Sequence, residues 1–234
     1  MDRQKQFFEK LGFGPFLANL TTILFLPRKE KGDVFYASAN YKVQEPNYTR
    51  PDDHRNYFEH DVIMTVVHCG ERIDKGRTRR KIVSKFVVSI EIKTSVDDIW
   101  KSSIDKYLGA TRLFFIAASG VLLPAVICKL HWDPMKQVIG VVDSGTGQIV
   151  VLPQFQNNRK DRRDHLLAQC YLSKHRLPAF NDQELFSIHR VRYPRGEEPA
   201  WVCKDGLRLN PDYMDLYTGE ANAGFDLDRY RYGE

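Results

Sequence analysis

The 234-residue sequence has few cysteines, no long apolar run and no low-complexity tract. Its four cysteines lie far apart, without the paired spacing of a zinc site or a disulfide framework, so we expect structural thiols in a reducing compartment. The most apolar stretch, Leu113–Ile127, is shorter than the roughly 20 apolar residues of a membrane helix. Met1–Lys10 is too polar for a secretory signal. These absences favour a cytoplasmic protein without a membrane partner.

Charge is unevenly distributed along the chain. The formal net charge is +5, but residues 205–234 hold seven acidic against three basic side chains, so the first 204 residues carry +9. A basic body favours a polyanionic partner, here a nucleic acid. An ordinary solvated surface with a polar tail explains the same distribution. The acidic tail could also bind a partner protein or cover the basic face of its own chain.

Apolar and β-branched runs predict strands through most of the first 155 residues. We expect them at Thr21–Leu26, Val34–Val43, Asp61–Val67, Phe86–Ile92, Leu113–Ala118, Pro124–Leu130, Val138–Val142 and Gln148–Leu152. Ser95 followed by Asp97 and Asp98 is typical of a capped helix start, and the apolar spacing continues this helix to Leu108. Further on, the pattern predicts a helix over Asp161–His175 and a strand near Ala200–Cys203.

The strands that begin at Asp61 and end at Ile92 predict a hairpin with a long basic connection. Residues 71–85 hold seven Lys or Arg against two acids, around the turn signal Asp74-Lys75-Gly76. Such side chains contact phosphates without reading the base sequence. The nucleic-acid-binding candidates are Arg72, Lys75, Arg77, Arg79, Arg80 and Lys81. A merely solubilising loop is the alternative.

Three residues of the hairpin suggest phosphodiester hydrolysis. Glu91 and Lys93 are two apart on a strand and so share a face, while Asp61 begins the neighbouring strand. Two carboxylates would hold Mg²⁺, which acidifies water and offsets charge in the transition state. Lys93 would orient that water and stabilise the negative charge. The alternative is a strand-end aspartate beside a solvated Glu91–Lys93 ion pair.

The sequence resembles the PD-(D/E)xK nuclease superfamily and is most similar to the small MmcB-like DNA-repair proteins. The resemblance covers residues 61–130, under a third of the chain, and depends on Asp61-Val62-Ile63, Glu91-Ile92-Lys93-Thr94-Ser95, Asp105-Lys106-Tyr107-Leu108 and Arg112–Ala117. It implies an α/β, restriction-endonuclease-like core, a mixed β-sheet flanked by helices, with an N-terminal insertion and a C-terminal extension. The core would span residues 1–155, and residues 156–234 would form a helical or irregular extension with the acidic tail.

The resemblance also implies an activity and a ligand set. We expect a metal-dependent endonuclease that cleaves DNA rather than RNA, with Mg²⁺ or Mn²⁺ held by Asp61, Glu91 and the carbonyl of Ile92, and with Lys93 as the base-like catalytic residue. A catalytically silent nuclease fold that binds nucleic acid or a partner is the alternative. The sequence is also compatible with an oligomer.

The sequence departs from the family pattern at several positions. The Pro-Asp that names the superfamily is absent at Asp61, and a literal Pro51-Asp52 lies in a polar, loop-like context. Glu9 is a candidate for the acidic residue that many members carry on their first helix. His54, His60 and His68 lack metal-ligand spacing, so we expect surface or strand-edge histidines.

Overall fold

A computed structural model describes residues 16, 19–20, 34–46, 57–101, 107, 109–133, 135–157, 162–166, 189–191 and 201–217. Within these residues the chain forms nine strands: β1 (Val34–Pro46), β2 (Tyr57–Asp74), β3 (Arg77–Lys93), β4 (Leu113–Ala118), β5 (Ile139–Asp143), β6 (Ile149–Val151), β7 (His189–Val191), β8 (Val202–Lys204) and β9 (Leu207–Leu209). Two helices have described bounds, α1 (Val96–Lys101) and α2 (Leu123–Trp132). Short 3-10 turns span Gly120–Leu122, Lys136–Val138 and Pro211–Tyr217.

All nine strands belong to one mixed sheet, in the order β7-β1-β2-β3-β4-β5-β6-β9-β8. Strand β4 pairs in parallel with both β3 and β5, and the other pairs are antiparallel. All six β4 residues are buried. Successive strand residues face opposite sides, and Phe115 meets Phe16 at 5.6 Å between ring centroids while Phe114 stacks on Tyr107 at 4.7 Å. The sheet is therefore covered on both faces at β4, in a mixed α/β fold.

The β2–β3 hairpin is longer than predicted, and the predicted long connection is wrong. Strand pairing runs from Val62 with Ile90 to Asp74 with Arg77. The connection is the two-residue turn Lys75-Gly76, with φ of 49° and 74°, which is the backbone of a type I′ hairpin turn. The far halves of these two strands were not predicted, because their residues are charged. A strand pair exposed to water on both faces needs no alternation of apolar and polar residues.

The segment after β4 is a helix and not the strand predicted at Pro124–Leu130. Ala125, Val126, Ile127 and Leu130 of α2 are all buried. A short run that is apolar on every side has no periodicity that separates a buried helix from a buried strand. Pro124 lies in the first turn of α2, where proline is compatible with a helix start.

Other predicted elements are confirmed. The helix at Val96 begins after Ser95, whose hydroxyl accepts a hydrogen bond from the Asp98 amide at 3.2 Å. The hairpin of β5 and β6 is present, as is β8. Residues 162–166 are helical within the predicted 161–175 helix. The predictions at Thr21–Leu26, Asp52 and Glu9 lie outside the described residues.

The C-terminal segment contributes strands to the same sheet. Strand β7 pairs with β1, and β9 pairs with β6, so residues after 156 lie at both ends of the sheet. The division into domains at residue 155 stays a prediction. Among the described residues, no helix has both the length and the apolar character that crossing a membrane requires.

Candidate active site

Adjacent strands bring Asp61 to the end of β3 that carries Glu91 and Lys93. Val62 pairs with Ile90, and continuing that register by one residue places Asp61 beside Glu91. The Oδ2 atom of Asp61 accepts a hydrogen bond from the Ile92 amide at 2.8 Å. The three residues singled out in the sequence thus lie at one end of two neighbouring strands.

Lys93 forms ion pairs with two carboxylates. Its Nζ donates to Glu91 Oε1 at 3.1 Å and lies 3.4 Å from Asp98 Oδ1. The exposed fractions of the side chains are 3% for Lys93, 13% for Glu91 and 36% for Asp98. Removing charged groups from water to this degree is costly unless they are paired. The cluster is therefore not the solvated ion pair considered as the alternative.

Tyr107 is a site residue that the sequence presented as part of the predicted helix and of the Asp105-Lys106-Tyr107-Leu108 stretch of the resemblance, without a role at the site. Its hydroxyl donates to Glu91 Oε2 at 2.5 Å. Burial raises the pKa of Tyr107 far above its ordinary value, and the negative charge of Glu91 raises it further. The phenol therefore remains a hydrogen-bond donor at every physiological pH. The sequence feature that could have pointed to Tyr107 is its hydroxyl, because a buried tyrosine usually hydrogen-bonds a polar partner.

Asp98 and Lys129 complete the charged cluster. Asp98, which the sequence presented as a helix-start acid, reaches back from α1 to Lys93. Lys129 on α2 donates to the Ile99 carbonyl at 2.6 Å. Burial lowers the pKa of Lys129; the carboxylate of Asp133 opposes this shift, and the positive charge of Lys93 adds to it. No sequence signal identified Lys129, because it lies in the segment predicted as a strand.

His60 is buried, so the prediction of a surface or edge histidine is wrong for this residue. Its two ring nitrogens hydrogen-bond Ser89 Oγ at 2.8 Å and Glu45 Oε2 at 2.9 Å. Arg162 donates to the same Glu45 carboxylate at 2.6 and 3.1 Å. Spacing rules for metal ligands do not detect a histidine whose partners come from β1 and β3.

The buried network of Glu45, His60 and Arg162 adjoins the site through His60. The His60 ring lies 5.3 Å from the ring of Tyr107 between centroids. Burial alone would raise the pKa of Glu45, but hydrogen bonds and positive charge from His60 and Arg162 hold it below its ordinary value. The network therefore stabilises an ionised Glu45, and its His60 lies beside Tyr107.

The basic residues of the hairpin do not surround this site. Lys75, Arg77 and Arg79 are exposed near the turn at the opposite end of β2 and β3. A strand advances about 3.3 Å per residue, so positions 72–74 of β2 lie about 35–45 Å along the strand from Asp61. The basic stretch therefore lies away from Asp61, Glu91 and Lys93, because it continues both strands beyond them.

Similarity to known proteins does not identify the chain. No family model matches it, and no curated protein matches it. A solved structure that resembles it is a protein of unknown function from Silicibacter pomeroyi, with 17% sequence identity, coverage of 74% of this chain and 92% of that chain, and a TM-score of 0.32.

Proposed function

We propose that the chain is a metal-dependent nuclease of the PD-(D/E)xK type that hydrolyses DNA, in the cytoplasm and in a repair role. The observation that supports this proposal most directly is the nearly buried Glu91–Lys93 pair beside Asp61. Such a cluster costs free energy to maintain, and two carboxylates beside an ammonium are suited to metal-dependent phosphodiester cleavage. DNA is favoured over RNA only by the family resemblance.

The donor set fits a hard cation that keeps part of its water shell. Among the described residues, no group of three or more His, Cys, Asp and Glu side chains converges on a metal position. Asp61 and Glu91 supply two carboxylates, and the carbonyl of Ile92 is the third ligand that the resemblance implies. Mg²⁺ commonly binds through one or two carboxylates, with water and phosphate oxygens completing the shell. When bound, the cation would acidify an attacking water and offset phosphate charge.

The protein groups around this position have separable roles. Tyr107 and Lys93 each donate to one oxygen of Glu91, which fixes the plane of that carboxylate. A carboxylate oxygen has two lone-pair directions, so each bond leaves Glu91 able to bind a cation. Asp98 holds the Lys93 ammonium at the end of β3. From there Lys93 can donate to the attacking water or to a phosphate oxygen.

Cleavage assays with charge-removing variants test this function. Glu91→Gln and Lys93→Met should each reduce cleavage of DNA in Mg²⁺ or Mn²⁺ by about 100-fold or more, because each removes a group that stabilises the transition state. The matched control is Asp97→Asn, which removes an exposed acid on α1 that pairs with Lys101 at 2.8 Å. Thermal unfolding must show that all variants are folded. Cleavage retained in both site variants would exclude the proposed site.

A catalytically silent nuclease fold is the second candidate. It is favoured by the hydrogen bonds that Glu91 already makes within the protein. Both of its oxygens already accept hydrogen bonds, so the cluster is electrostatically satisfied without a cation. Titration with Mn²⁺, followed by calorimetry, separates the two functions. A nuclease should bind Mn²⁺ in a manner that Glu91→Gln weakens. Absence of Mn²⁺ binding and of cleavage, together with retained DNA binding, would establish the silent alternative.

A further inference from the structure

The far end of the β2–β3 hairpin forms a two-stranded arm, which we define as Gly70–Lys81. Among the described strands, β1 pairs with β2 only as far as Cys69, and β4 begins to pair with β3 at Val88. The two strands of the arm therefore pair only with each other in the described part of the chain. Residues 73–79 are all exposed, and Ile73 reaches 81%.

The base of the arm carries an irregularity. The β2–β3 register shifts between His68 and Cys69, next to the position where pairing with β1 stops. A bulge bends a strand and increases its twist. The register shift thus lies where the arm leaves the wider sheet. At this position the arm can bend relative to the sheet.

The arm is strongly basic for its length. It contains six Lys or Arg residues and two acids, a net charge of +4 within twelve residues. Its described ion pair, Arg79 with Asp74 at 3.6 Å, has side chains that are 69% and 55% exposed. An ion pair so exposed contributes little stability, under about 1 kcal/mol, and does not hold these side chains in place. A concentrated positive charge on an exposed ribbon is suited to a polyanion.

The composition of the arm favours a duplex over a single strand. Binding of single strands generally uses aromatic side chains on which the bases stack. Residues 70–81 contain no Phe, Tyr or Trp. A two-stranded β-ribbon, in contrast, has the width that the major groove of B-form DNA admits.

The length of the arm determines how far from the candidate active site it would contact a duplex. Arg79 pairs with Arg72, eleven residues along β2 from Asp61. At about 3.3 Å per residue this separation is about 36 Å along the strand. One turn of B-form DNA spans about 34–36 Å. We propose that the arm binds duplex DNA about one helical turn from the phosphodiester held at Asp61, Glu91 and Lys93. The spacing rests on the proposed nuclease function, whereas duplex binding by the arm does not.

Duplex binding is tested by measuring the affinity for a fluorescently labelled DNA duplex of about 30 base pairs. A chelator of divalent cations is present so that no cleavage occurs. Two triple variants each remove three positive charges: Lys75→Gln, Arg77→Gln and Arg79→Gln in the arm, and Lys136→Gln, Arg163→Gln and Arg208→Gln elsewhere. We expect the arm variant to bind at least about 10-fold more weakly near 0.1 M salt, and the control less than about 2-fold. The slope of log K against log salt should become shallower by about 2.7 in the arm variant, since each phosphate contact contributes about 0.9.

Several results would overturn duplex binding by the arm. One is an equal loss of affinity in the arm and control variants, which would indicate a general effect of net charge. Another is an arm-dependent affinity for single-stranded DNA or for polyglutamate as large as that for the duplex. The last is unchanged duplex binding by the arm variant.

The one-turn spacing is tested by cleavage of duplexes of about 8 and about 30 base pairs, shorter and longer than one turn of about 10 base pairs. We expect the arm variant to lose about 10-fold in kcat/KM on the long duplex and less than about 2-fold on the short one, because only the long duplex reaches the arm. Equal losses at both lengths would overturn the spacing. If the wild-type protein cleaves neither duplex, the nuclease function and the spacing both fail, while arm-dependent binding is still decided by the chelator experiment.

Discussion

The Tyr107 hydroxyl donates to Glu91 Oε2 over 2.5 Å, and this bond joins the aromatic core to the charged cluster. On the core side, Tyr107 stacks on Phe114 and lies beside the ring of His60. On the other side, Glu91 pairs with Lys93. The orientation of the Glu91 carboxylate is therefore determined by packing inside the domain and not by solvent.

Tyr107→Phe should impair both the site and the fold. Because the ring remains and the donor to Glu91 is lost, we expect about a 10-fold fall in kcat and a loss of about 1.5–3 kcal/mol in the free energy of unfolding, typical of a hydrogen bond to a charged group. Mn²⁺ affinity of the variant should also fall. Measurements of cleavage, Mn²⁺ titration and urea unfolding check these effects.

Tyr213→Phe is the matched control for this change. The Tyr213 hydroxyl donates to Asp143 at 3.1 Å, on strand β5. Its loss should reduce stability without changing kcat or Mn²⁺ affinity. If both tyrosine variants lose activity to the same degree, Tyr107 has no role specific to Glu91.

Asp98→Asn and Asp97→Asn should differ although the two acids are neighbours on α1. Asp98 pairs with Lys93, whose side chain is 3% exposed, whereas Asp97 pairs with Lys101 where both side chains are at least 70% exposed. We expect Asp98→Asn to lower the cleavage rate about 10-fold and Asp97→Asn to leave rate and stability unchanged within about 0.5 kcal/mol. Single-turnover cleavage and thermal unfolding measure both effects. Equal behaviour of the two variants would remove Asp98 from the site.

Glu45 should make stability depend on acid pH. Its folded pKa lies below the ordinary value of 4.5, because hydrogen bonds from His60 and Arg162 outweigh the effect of burial. The ionised form is thus favoured in the folded state, so its stabilisation is complete above pH 4.5 and is lost as the pH falls through the lower, folded pKa.

Glu45→Gln isolates that contribution. At pH 7 the variant should be less stable by about 3–5 kcal/mol, because Arg162 is left buried without its carboxylate. The difference from wild type should narrow as the pH falls below 4.5, which urea unfolding between pH 7 and pH 3 would show. Glu59→Gln, at an exposed position of β2, should give a small difference at every pH. If the stability difference between Glu45→Gln and wild type did not depend on pH, it would contradict a lowered pKa of Glu45 in the folded state.

The sequence allowed prediction of the parts of the site that follow local rules. Alternation placed Glu91 and Lys93 on one face of a strand, and the Ser95 cap placed the start of α1 directly after them. The meeting of Asp61 with this strand end followed from the hairpin, since two antiparallel neighbours bring distant residues together. These inferences needed no knowledge of the rest of the sheet.

Residues that reach the site from elsewhere could not be predicted in this way. Tyr107 contacts Glu91 from a position 16 residues away, and Arg162 contacts Glu45 from 117 residues away. Such contacts are decided by how helices pack on the sheet, which periodicity does not specify. Lys129 was missed for the additional reason that the mostly apolar run around it gave the same pattern as a buried strand.

Gly140→Ala should destabilise the centre of the sheet. Gly140 pairs with Phe115 across β4 and β5, and a Cβ at residue 140 would lie 2.5 Å from the Phe115 ring and 2.8 Å from Pro153. Neither neighbour can yield easily in a packed core, so we expect a loss of about 1–3 kcal/mol in the free energy of unfolding. Gly120→Ala is the control, since a Cβ there meets no atom within 4 Å and the change should stay within about 0.5 kcal/mol. Urea unfolding of both variants decides the matter, and equal stability of the two would show that β4 and β5 are not packed as closely as described.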